Sequence, residues 1–363
     1  MKNSFGDSII ITLFGESHGE MIGAVVDGLC PGIEIDDGFI AKKLSQRKAA
    51  GSLSTKRREK DEYRIVSGVF NGKTTGTPLC ILIENGDTKS SDYEKTVGLL
   101  RPSHADYTAE CKYHGFQDFR GGGHFSGRIT APLVAAGAIA LKMLEKKGVV
   151  IATHIKRMGD ITDRDFGEVS ADAEVLSNDS FPVLNGEAKE KMISLINEAA
   201  QKGDSVGGVL ESVVHGVPCG VGEPWFDTVE GCLSHILFSI PAIKGVEFGA
   251  GFGFANMKGS QANDAFAVRD GKVTTLTNNN GGINGGITNG EDIVFRCAVK
   301  PTPSIFKQQD TVDLNTMENA KLSIKGRHDP AVIHRARAVV DSVTALCLAD
   351  LLAQRFGTDY FTE

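Results

Sequence analysis

The 363-residue sequence has no run of 18 apolar residues, the minimum for a membrane-spanning helix. Its first residues, MKNSFGDSIIITLFG, contain one lysine and a short apolar run, which is not the pattern of a signal peptide. Cysteine pairs in CxxC spacing are also missing, and the seven cysteines are odd in number and far apart. This pattern argues against disulfides and structural zinc and favours reduced thiols, so we expect a cytoplasmic protein without a metal site.

An excess of positive charge is missing as well. The net charge of −7 argues against nucleic acid or an anionic membrane as a partner of the whole surface, so an anionic ligand requires a local basic pocket. One stretch could supply it, because residues 42–60 contain eight basic side chains and a single acid, Glu59. A run of charge is more often a solvated face of the protein, and both interpretations stay open.

Glycine, in contrast, is abundant, with 43 residues in 363 against an ordinary share of about 7%. Glycine adopts backbone conformations that other residues avoid, so much of the chain must form tight turns or close backbone approaches. The length permits one large domain or two, and no linker, repeat or low-complexity segment marks a boundary.

The apolar pattern predicts hairpin strands and helices without regular βαβ alternation, which favours α+β layers over a doubly wound sheet. Strands are predicted at 9–14, 21–27, 64–70, 77–83, 206–217 and 292–300, with a turn at Asn71-Gly72 between the third and the fourth. Helices are predicted at 130–147, 187–202 and 330–355.

The sequence GESHG at residues 15–19 matches GxSxG, the nucleophile elbow of α/β-hydrolases, so a serine hydrolase is one hypothesis. An elbow lies between a strand and a helix, whereas the residues after Gly19 are predicted to form a strand. We therefore interpret GESHG as a loop between strands. His18 is either a structural histidine or, because glycines let backbone approach a ligand closely, a functional one.

A second group of motifs consists of RPSHAD at residues 101–106 and RGGGHFSGR at residues 120–128. The latter immediately precedes the helix predicted from Thr130. A glycine-rich loop that leads into a helix offers free backbone N–H groups and the positive end of a helix dipole, which suits phosphate. Arg101, Arg120 and Arg128 would add bidentate positive charge.

A third group lies near the C-terminus and comprises NNNGGINGG at residues 278–286, KPTPS at 300–304 and GRHDP at 326–330. The KPTPS segment presents a cation and two hydroxyls on a stiff backbone, which would suit a phosphate or a ribityl chain. Asp329-Pro330 is also typical of the N-cap and first residue of a helix.

Six ordered motifs, FGESHG, RPxHADYT, RGGG followed by SxR, GGIxGGI, KPTxS and GRHDP, resemble those of chorismate synthase from Phe14 to Asp350. The resemblance implies a layered β/α sandwich of the α+β class, one catalytic domain spanning 1–363, and a homotetramer. It also implies a carbon–oxygen lyase of aromatic amino acid biosynthesis that performs the last step of the shikimate pathway. In that step 5-enolpyruvylshikimate 3-phosphate loses phosphate and a ring hydrogen by anti-1,4-elimination, with reduced FMN (FMNH2) and no net redox change.

The resemblance also assigns roles to residues. His18 would protonate the departing phosphate, His104 would donate to the reduced flavin, and Asp329 would assist as a base. Substrate would be bound by Arg47, Arg57 and Arg128. The positions that would contact FMN are His124, Phe125, Ser126, Ala242, Gly285, Lys300, Pro301, Thr302, Pro303, Ser304 and Arg327.

The chain departs from that family pattern at three places. Ser45-Gln46-Arg47-Lys48 stands where many relatives have three arginines in a row, and His124 stands where they often have arginine. Ser52 also replaces a frequent arginine, which argues against an NADPH site, so we expect an external reductant for the flavin. A flavin-binding or anion-binding protein without catalysis is the remaining alternative, and the presence of His18, His104 and Asp329 argues against it.

Overall fold

The computed structural model describes residues 2–48, 61–86, 98–324 and 329–362. Within these residues the strands are β1 (Ser4–Phe5), β2 (Ile10–Gly15), β3 (Met21–Asp27), β4 (Tyr63–Ser67), β5 (Val69–Phe70), β6 (Lys73–Thr74), β7 (Leu79–Glu84), β8 (Val150–Met158), β9 (Ile161–Thr162), β10 (Gly208–His215), β11 (Ile243–Phe248), β12 (Phe266–Arg269), β13 (Lys272–Thr275), β14 (Ile283–Asn284), β15 (Ile287–Thr288), β16 (Ile293–Val299), β17 (Gln309–Asp313) and β18 (Glu318–Leu322).

The α-helices of the same residues are α1 (Asp37–Arg47), α2 (Asp106–Tyr113), α3 (Thr130–Lys146), α4 (Val169–Ser177), α5 (Gly186–Gln201), α6 (Val229–Leu237), α7 (Gly259–Ala262) and α8 (Ile333–Phe356). Short 3₁₀ turns occur at Arg120–Phe125, Gly127–Ile129, Trp225–Asp227, Gly251–Asn256 and Thr358–Phe361. The predicted helices are thus confirmed, although the last begins later than its sequence indicates.

Two five-stranded antiparallel sheets form the outer layers. The first has the strand order β1-β2-β3-β7-β4, and the second has the order β11-β16-β10-β8-β9. The predicted hairpin of 64–70 with 77–83 is confirmed as the pairing of β4 with β7. Asn71 and Gly72, both with positive φ, turn a smaller hairpin between β5 and β6.

Helices fill the space between the sheets. Helix α3 packs against β3 and β7 of the first sheet, α8 packs against β8 and β10 of the second, and the two helices pack against each other. The antiparallel sheets with helices between them confirm the predicted layered α+β sandwich.

The contact between α3 and α8 is unusually close at Gly137. A Cβ atom added there would lie 2.3 Å from the Cβ of Ser342, so a larger residue would push the helices apart. By length and composition the segment Gly127–Lys146 could cross a membrane, but 89% of it is buried inside the protein. Its apolar surface is therefore that of a core helix.

Candidate functional site

A cavity of about 1340 Å³ lies in the described part of the chain. Its wall is built from segments that are far apart in the sequence. They include the N-terminal residues 2–5, most of the loop 98–106, most of the glycine-rich segment 117–130, most of residues 235–244, the start of α8, and Lys300, Thr302 and Pro303. Three of the sequence motifs, around His104, Arg128 and Lys300, thus meet Asp329 of a fourth motif in one wall.

The loop between β2 and β3 is attached to the glycine-rich segment next to this wall. Ser17 is fully buried, and its Oγ donates to the backbone carbonyls of Arg120 at 3.2 Å and Gly121 at 3.0 Å. Its N–H donates to the carbonyl of Gly123 at 3.1 Å. A buried serine between two strands cannot serve as an exposed nucleophile, so the structure excludes the nucleophile-elbow hypothesis.

His18 lies against the backbone of the same glycine-rich segment. A Cβ atom at Gly121, whose φ is +60°, would lie 2.3 Å from Cδ2 of His18, so only glycine fits there. His18 itself is next to the cavity wall and is not part of it, whereas Gly121 is. The hydrogen bond from Arg120 lowers the pKa of Asp118, and the charge of His18 contributes to the same effect.

The loop of residues 101–106 is connected to the KPTPS segment by side chains. His104 Nε2 and Ser304 Oγ are 2.9 Å apart, although they are separated by 200 positions in the sequence. Lys300 Nζ donates to the carbonyl of Ser103 at 2.7 Å. Arg101 forms an ion pair with Asp106, and although burial acts to raise the pKa of Asp106, its hydrogen bonds with Arg101 lower that pKa. These contacts hold the two segments together.

Several predicted flavin contacts lie in the wall. His124, Phe125, Ser126, Ala242, Lys300, Thr302 and Pro303 all line the cavity. His124 Nδ1 lies 2.7 Å from the carbonyl oxygen of Gly15. Ala242 has a φ of +78°, a region that residues other than glycine rarely occupy, and strain of this kind is concentrated at functional sites.

Other predicted contacts lie elsewhere. As the described residues form it, the cavity is not lined by Gly285, Pro301 or Ser304, although Ser304 contacts His104, which does line it. Gly285 lies in the turn between β14 and β15. Arg57, Ser52 and Arg327 lie outside the described residues.

Two of the predicted substrate ligands share one carboxylate. Arg47 Nη2 donates to Asp61 Oδ2 at 3.1 Å, and Arg128 Nη1 donates to Asp61 Oδ1. Arg128 also donates to Asn85 Oδ1 at 3.0 Å and to the carbonyl of Glu84 at 3.0 Å. Much of the hydrogen-bonding capacity of Arg128 is therefore used within the protein.

Asp329 lies in the wall just before α8 and forms an ion pair with Arg335. Helix α8 begins at Ile333 with Val332 as its N-cap, so the interpretation of Asp329-Pro330 as the cap and first residue of the helix is wrong. The later start of α8 results from a tertiary contact, because the carbonyl of Pro330 accepts a hydrogen bond from the N–H of Val206 at 2.8 Å. That carbonyl is thus engaged with a neighbouring segment at the point where the helix would start.

Sequence reasoning missed Asp61 and Arg335, which both line the cavity. Asp61 directly follows the basic run of residues 42–60 and precedes Glu62, and the change from basic to acidic residues at this point was the available signal. Arg335 gave no comparable signal, because its distance of six residues from Asp329 matches no helical contact spacing.

Comparison with known proteins agrees with the motifs. The family model described as chorismate synthase matches residues 9–353. The chain belongs to the chorismate synthase family. A chorismate synthase from Thermococcus kodakarensis is 47% identical over 350 residues, which cover 96% of this chain and 97% of that protein. One from Dehalococcoides mccartyi is 46% identical over 355 residues, with coverage of 97% and 96%.

A solved structure supports the same family. The structure titled "Crystal Structure of Chorismate Synthase" superposes with a TM-score of 0.76 at 28% sequence identity, covering 97% of this chain and 94% of that one. Because the match extends over nearly the whole of both chains, the layered arrangement of sheets and helices is the chorismate synthase fold.

Proposed function

We propose that the cavity is the active site of a chorismate synthase, in which 5-enolpyruvylshikimate 3-phosphate loses phosphate and a ring hydrogen by anti-1,4-elimination. The enzyme is then a carbon–oxygen lyase that catalyses the last step of the shikimate pathway. One observation carries the proposal: residues of four family motifs, which together span more than 200 positions of the chain, form a single wall. Family membership over residues 9–353 supports the same reaction.

The residues present fit FMN as the cofactor. Pockets for one drug-sized molecule have volumes of about 300–1,000 Å³, so a cavity of about 1340 Å³ has room for a flavin and a substrate. The hydroxyl of Thr302 is buried and has no hydrogen-bond partner among the described residues, which leaves it for a bound group. Lys300 adds a cation near it. A hydroxyl and a cation suit the ribityl chain and phosphate of FMN.

When bound, reduced FMN would supply electron density to the reacting diene system without net redox change. His104 would donate to the flavin, and its contact with Ser304 holds the imidazole ring in place for this task. The other contacts to FMN are assigned to His124, Phe125, Ser126, Ala242, Gly285, Lys300, Pro301, Thr302, Pro303, Ser304 and Arg327.

The proton transfers are assigned to His18 and Asp329. His18 gives a proton to the departing phosphate, a role that its fixed position against Gly121 supports. Asp329 assists removal of the ring hydrogen as a base. Arg47, Arg57 and Arg128 bind the anionic groups of the substrate, since guanidinium groups pair well with carboxylates and phosphates.

The domain organisation, oligomeric state, reductant and location of the enzyme are inferred from the same resemblance. We infer a single catalytic domain over residues 1–363, a homotetramer, and an external source of reduced flavin. Exposed aromatic side chains such as Trp225, Phe226 and Phe252 support contact between copies of the chain. The seven cysteines form no disulfide and are free thiols, which supports a cytoplasmic location.

Anaerobic incubation with substrate and dithionite-reduced FMN tests the function directly. We expect phosphate and chorismate to form in equal amounts, with chorismate detected by its new diene absorbance. No product should form when flavin is omitted or oxidised. Turnover without flavin would contradict the mechanism. Binding of FMN without any turnover would instead indicate a flavin-binding protein that has lost catalysis.

A further inference from the structure

A buried carboxylate lies between the two arginines of the cavity wall. The Asp61 side chain has no solvent exposure, and each of its oxygens accepts from a different guanidinium, Oδ2 from Arg47 and Oδ1 from Arg128. Its backbone has a φ of +50°, which residues other than glycine rarely adopt, so the surroundings fix it in place. Asp61 itself is also part of the wall.

The two arginines would repel each other without this carboxylate. Burial above all, together with the charge of Arg128, lowers the pKa of Arg47, and the charge of Asp61 opposes both effects. In the other direction, burial acts to raise the pKa of Asp61, but the charges of Arg47 and Arg128 outweigh it and hold that pKa below its usual range. Asp61 therefore stays ionised and keeps two like charges close together.

The remaining contacts show which donors are left for a ligand. Arg47 makes two long hydrogen bonds of 3.4 Å, to the carbonyl of Gly127 and to Thr130 Oγ1, besides its bond to Asp61. Its Nε is buried and has no partner among the described residues. A buried donor without a partner is costly, so an anion bound beside Arg47 would satisfy it.

We propose that Asp61 is a positioning residue of the reaction: it holds Arg47 and Arg128 side by side on the cavity wall and thereby forms the binding site for an anionic group of the substrate. Asp61 does not touch the substrate, because both of its oxygens are occupied by the arginines. The inference rests on the proposed function, since it assigns the anion to the substrate of that reaction.

The substitution Asp61→Asn removes the charge and retains the shape. An amide accepts from one arginine only and turns its NH2 group toward the other, so the pair separates. Because the arginines bind anionic groups already present in the free substrate, the loss falls on substrate affinity. We expect the KM for 5-enolpyruvylshikimate 3-phosphate to rise about tenfold or more, while the Kd of FMN, measured by flavin fluorescence, changes less than about threefold.

A matched control distinguishes this role from a structural one. Asp172 is also buried and is bound by the guanidinium of Arg164, but it lies outside the cavity wall. Asp172→Asn should lower the melting temperature and leave the KM unchanged. If Asp61→Asn behaves in the same way as this control, with a lower melting temperature and an unchanged KM, Asp61 is structural and the inference is wrong.

The variant Asp61→Glu decides the question even if Asp61→Asn fails to fold. Glutamate keeps the charge and moves the carboxylate by one methylene, so a role in positioning predicts a KM raised several-fold in a folded protein. A wild-type KM for Asp61→Glu would overturn the inference. A wild-type protein that makes no chorismate would contradict the proposed function itself, whereas turnover with unchanged KM values in folded variants contradicts only the role of Asp61.

Discussion

At the scale of single residues, the contact between His104 and Ser304 directly links two motifs that are distant in the sequence. Since the hydroxyl of Ser304 lies 2.9 Å from His104 Nε2, Ser304→Ala leaves the ring less well oriented. One hydrogen bond is worth about 0.5–1.5 kcal/mol, so we expect turnover to fall up to about tenfold, and by about 10²- to 10⁴-fold for His104→Ala. Single-turnover rates with reduced FMN measure both variants.

Ser177→Ala is the control for Ser304→Ala, because Ser177 Oγ donates to the nearby carbonyl of Glu174 in the last turn of α4, outside the cavity wall. It should have wild-type turnover. A Ser304→Ala protein with the rate and pH profile of the wild type would show that the hydroxyl does not orient His104.

Asp329 gives a second prediction at this scale. An asparagine retains the shape of the side chain but cannot accept a proton as a carboxylate does, so Asp329→Asn should fold, bind FMN and lose about 10²-fold or more of its turnover. The variant Asp204→Asn breaks an exposed ion pair with Lys307 and serves as the control. Full activity in a folded Asp329→Asn protein would remove Asp329 from the proton-transfer steps.

The individual residues of the site were predictable to different degrees. His104, Lys300, Thr302 and Asp329 stand in motifs whose chemistry suits an anionic ligand, and the structure brings them into one wall. Asp61 could not be assigned in the same way. Its role depends on an arginine 67 residues further along the chain, and a contact between such distant residues is set by the tertiary fold.

At the scale of elements, strands and helices were found where their apolar patterns were strong. The start of α8 was predicted three residues too early because Asp329-Pro330 is a strong local signal for a helix start. The hydrogen bond between Val206 and Pro330 competes with it and comes from a segment more than 120 residues away. Local signals therefore locate an element better than they locate its ends.

Gly137 gives a prediction about the packing of elements. Since a Cβ atom there would lie 2.3 Å from the Cβ of Ser342, Gly137→Ala must separate α3 from α8 or distort one of them. Overpacking of this kind costs about 1–3 kcal/mol, which urea denaturation would measure as a lower free energy of unfolding. Gly186→Ala, at the start of α5 where an added Cβ meets no atom within 4 Å, should be nearly neutral. Equal stabilities of the two variants would contradict the close packing.

At the scale of the whole molecule, composition and periodicity predicted the class of fold, but the order of strands could not be predicted. Strand β16 pairs with β10 and β11, and β10 also pairs with β8. These partners are separated by dozens of residues, and apolar patterns do not specify which distant strands pair. The cavity could not be located either, because it forms only when the two halves of the chain pack together.

The second sheet contains a buried ionic cluster, and the shifted pKa values of its members predict that the stability of the molecule depends on pH. His154, which is fully buried, lies between Asp163, 2.7 Å from its Nδ1, and Glu211, 3.2 Å from its Nε2. Glu211 also contacts Lys156 and Arg296. Burial opposes protonation of His154, but its hydrogen bonds with the two carboxylates outweigh burial and raise the pKa of His154 above its usual 6.5.

The raised pKa of His154 and the lowered pKa values of its partners have opposite effects on how the stability changes with pH. The stabilisation from protonated His154 is complete below a pH of about 6.5 and is lost as the pH rises through the raised pKa. Burial acts to raise the pKa of Glu211, but its polar and charged neighbours lower it to about 2, so its contribution is complete above about 4.5 and is lost as the pH falls. The cluster therefore stabilises the fold most between about pH 4.5 and 6.5.

The variant His154→Gln tests this pH dependence, because glutamine remains neutral at every pH. The difference in free energy of unfolding between the wild type and His154→Gln should be larger at pH 6 than at pH 9, since only the wild type loses a charge in that interval. His215→Gln provides the control. His215 also contacts a carboxylate, that of Asp292, but its side chain is 53% exposed, and solvent weakens such pairs. The difference in free energy of unfolding between the wild type and His215→Gln should therefore be similar at pH 6 and pH 9. The same difference for His154→Gln at both pH values would mean that folding does not raise the pKa of His154, and a smaller difference at pH 6 would mean that His154 is neutral in the folded protein.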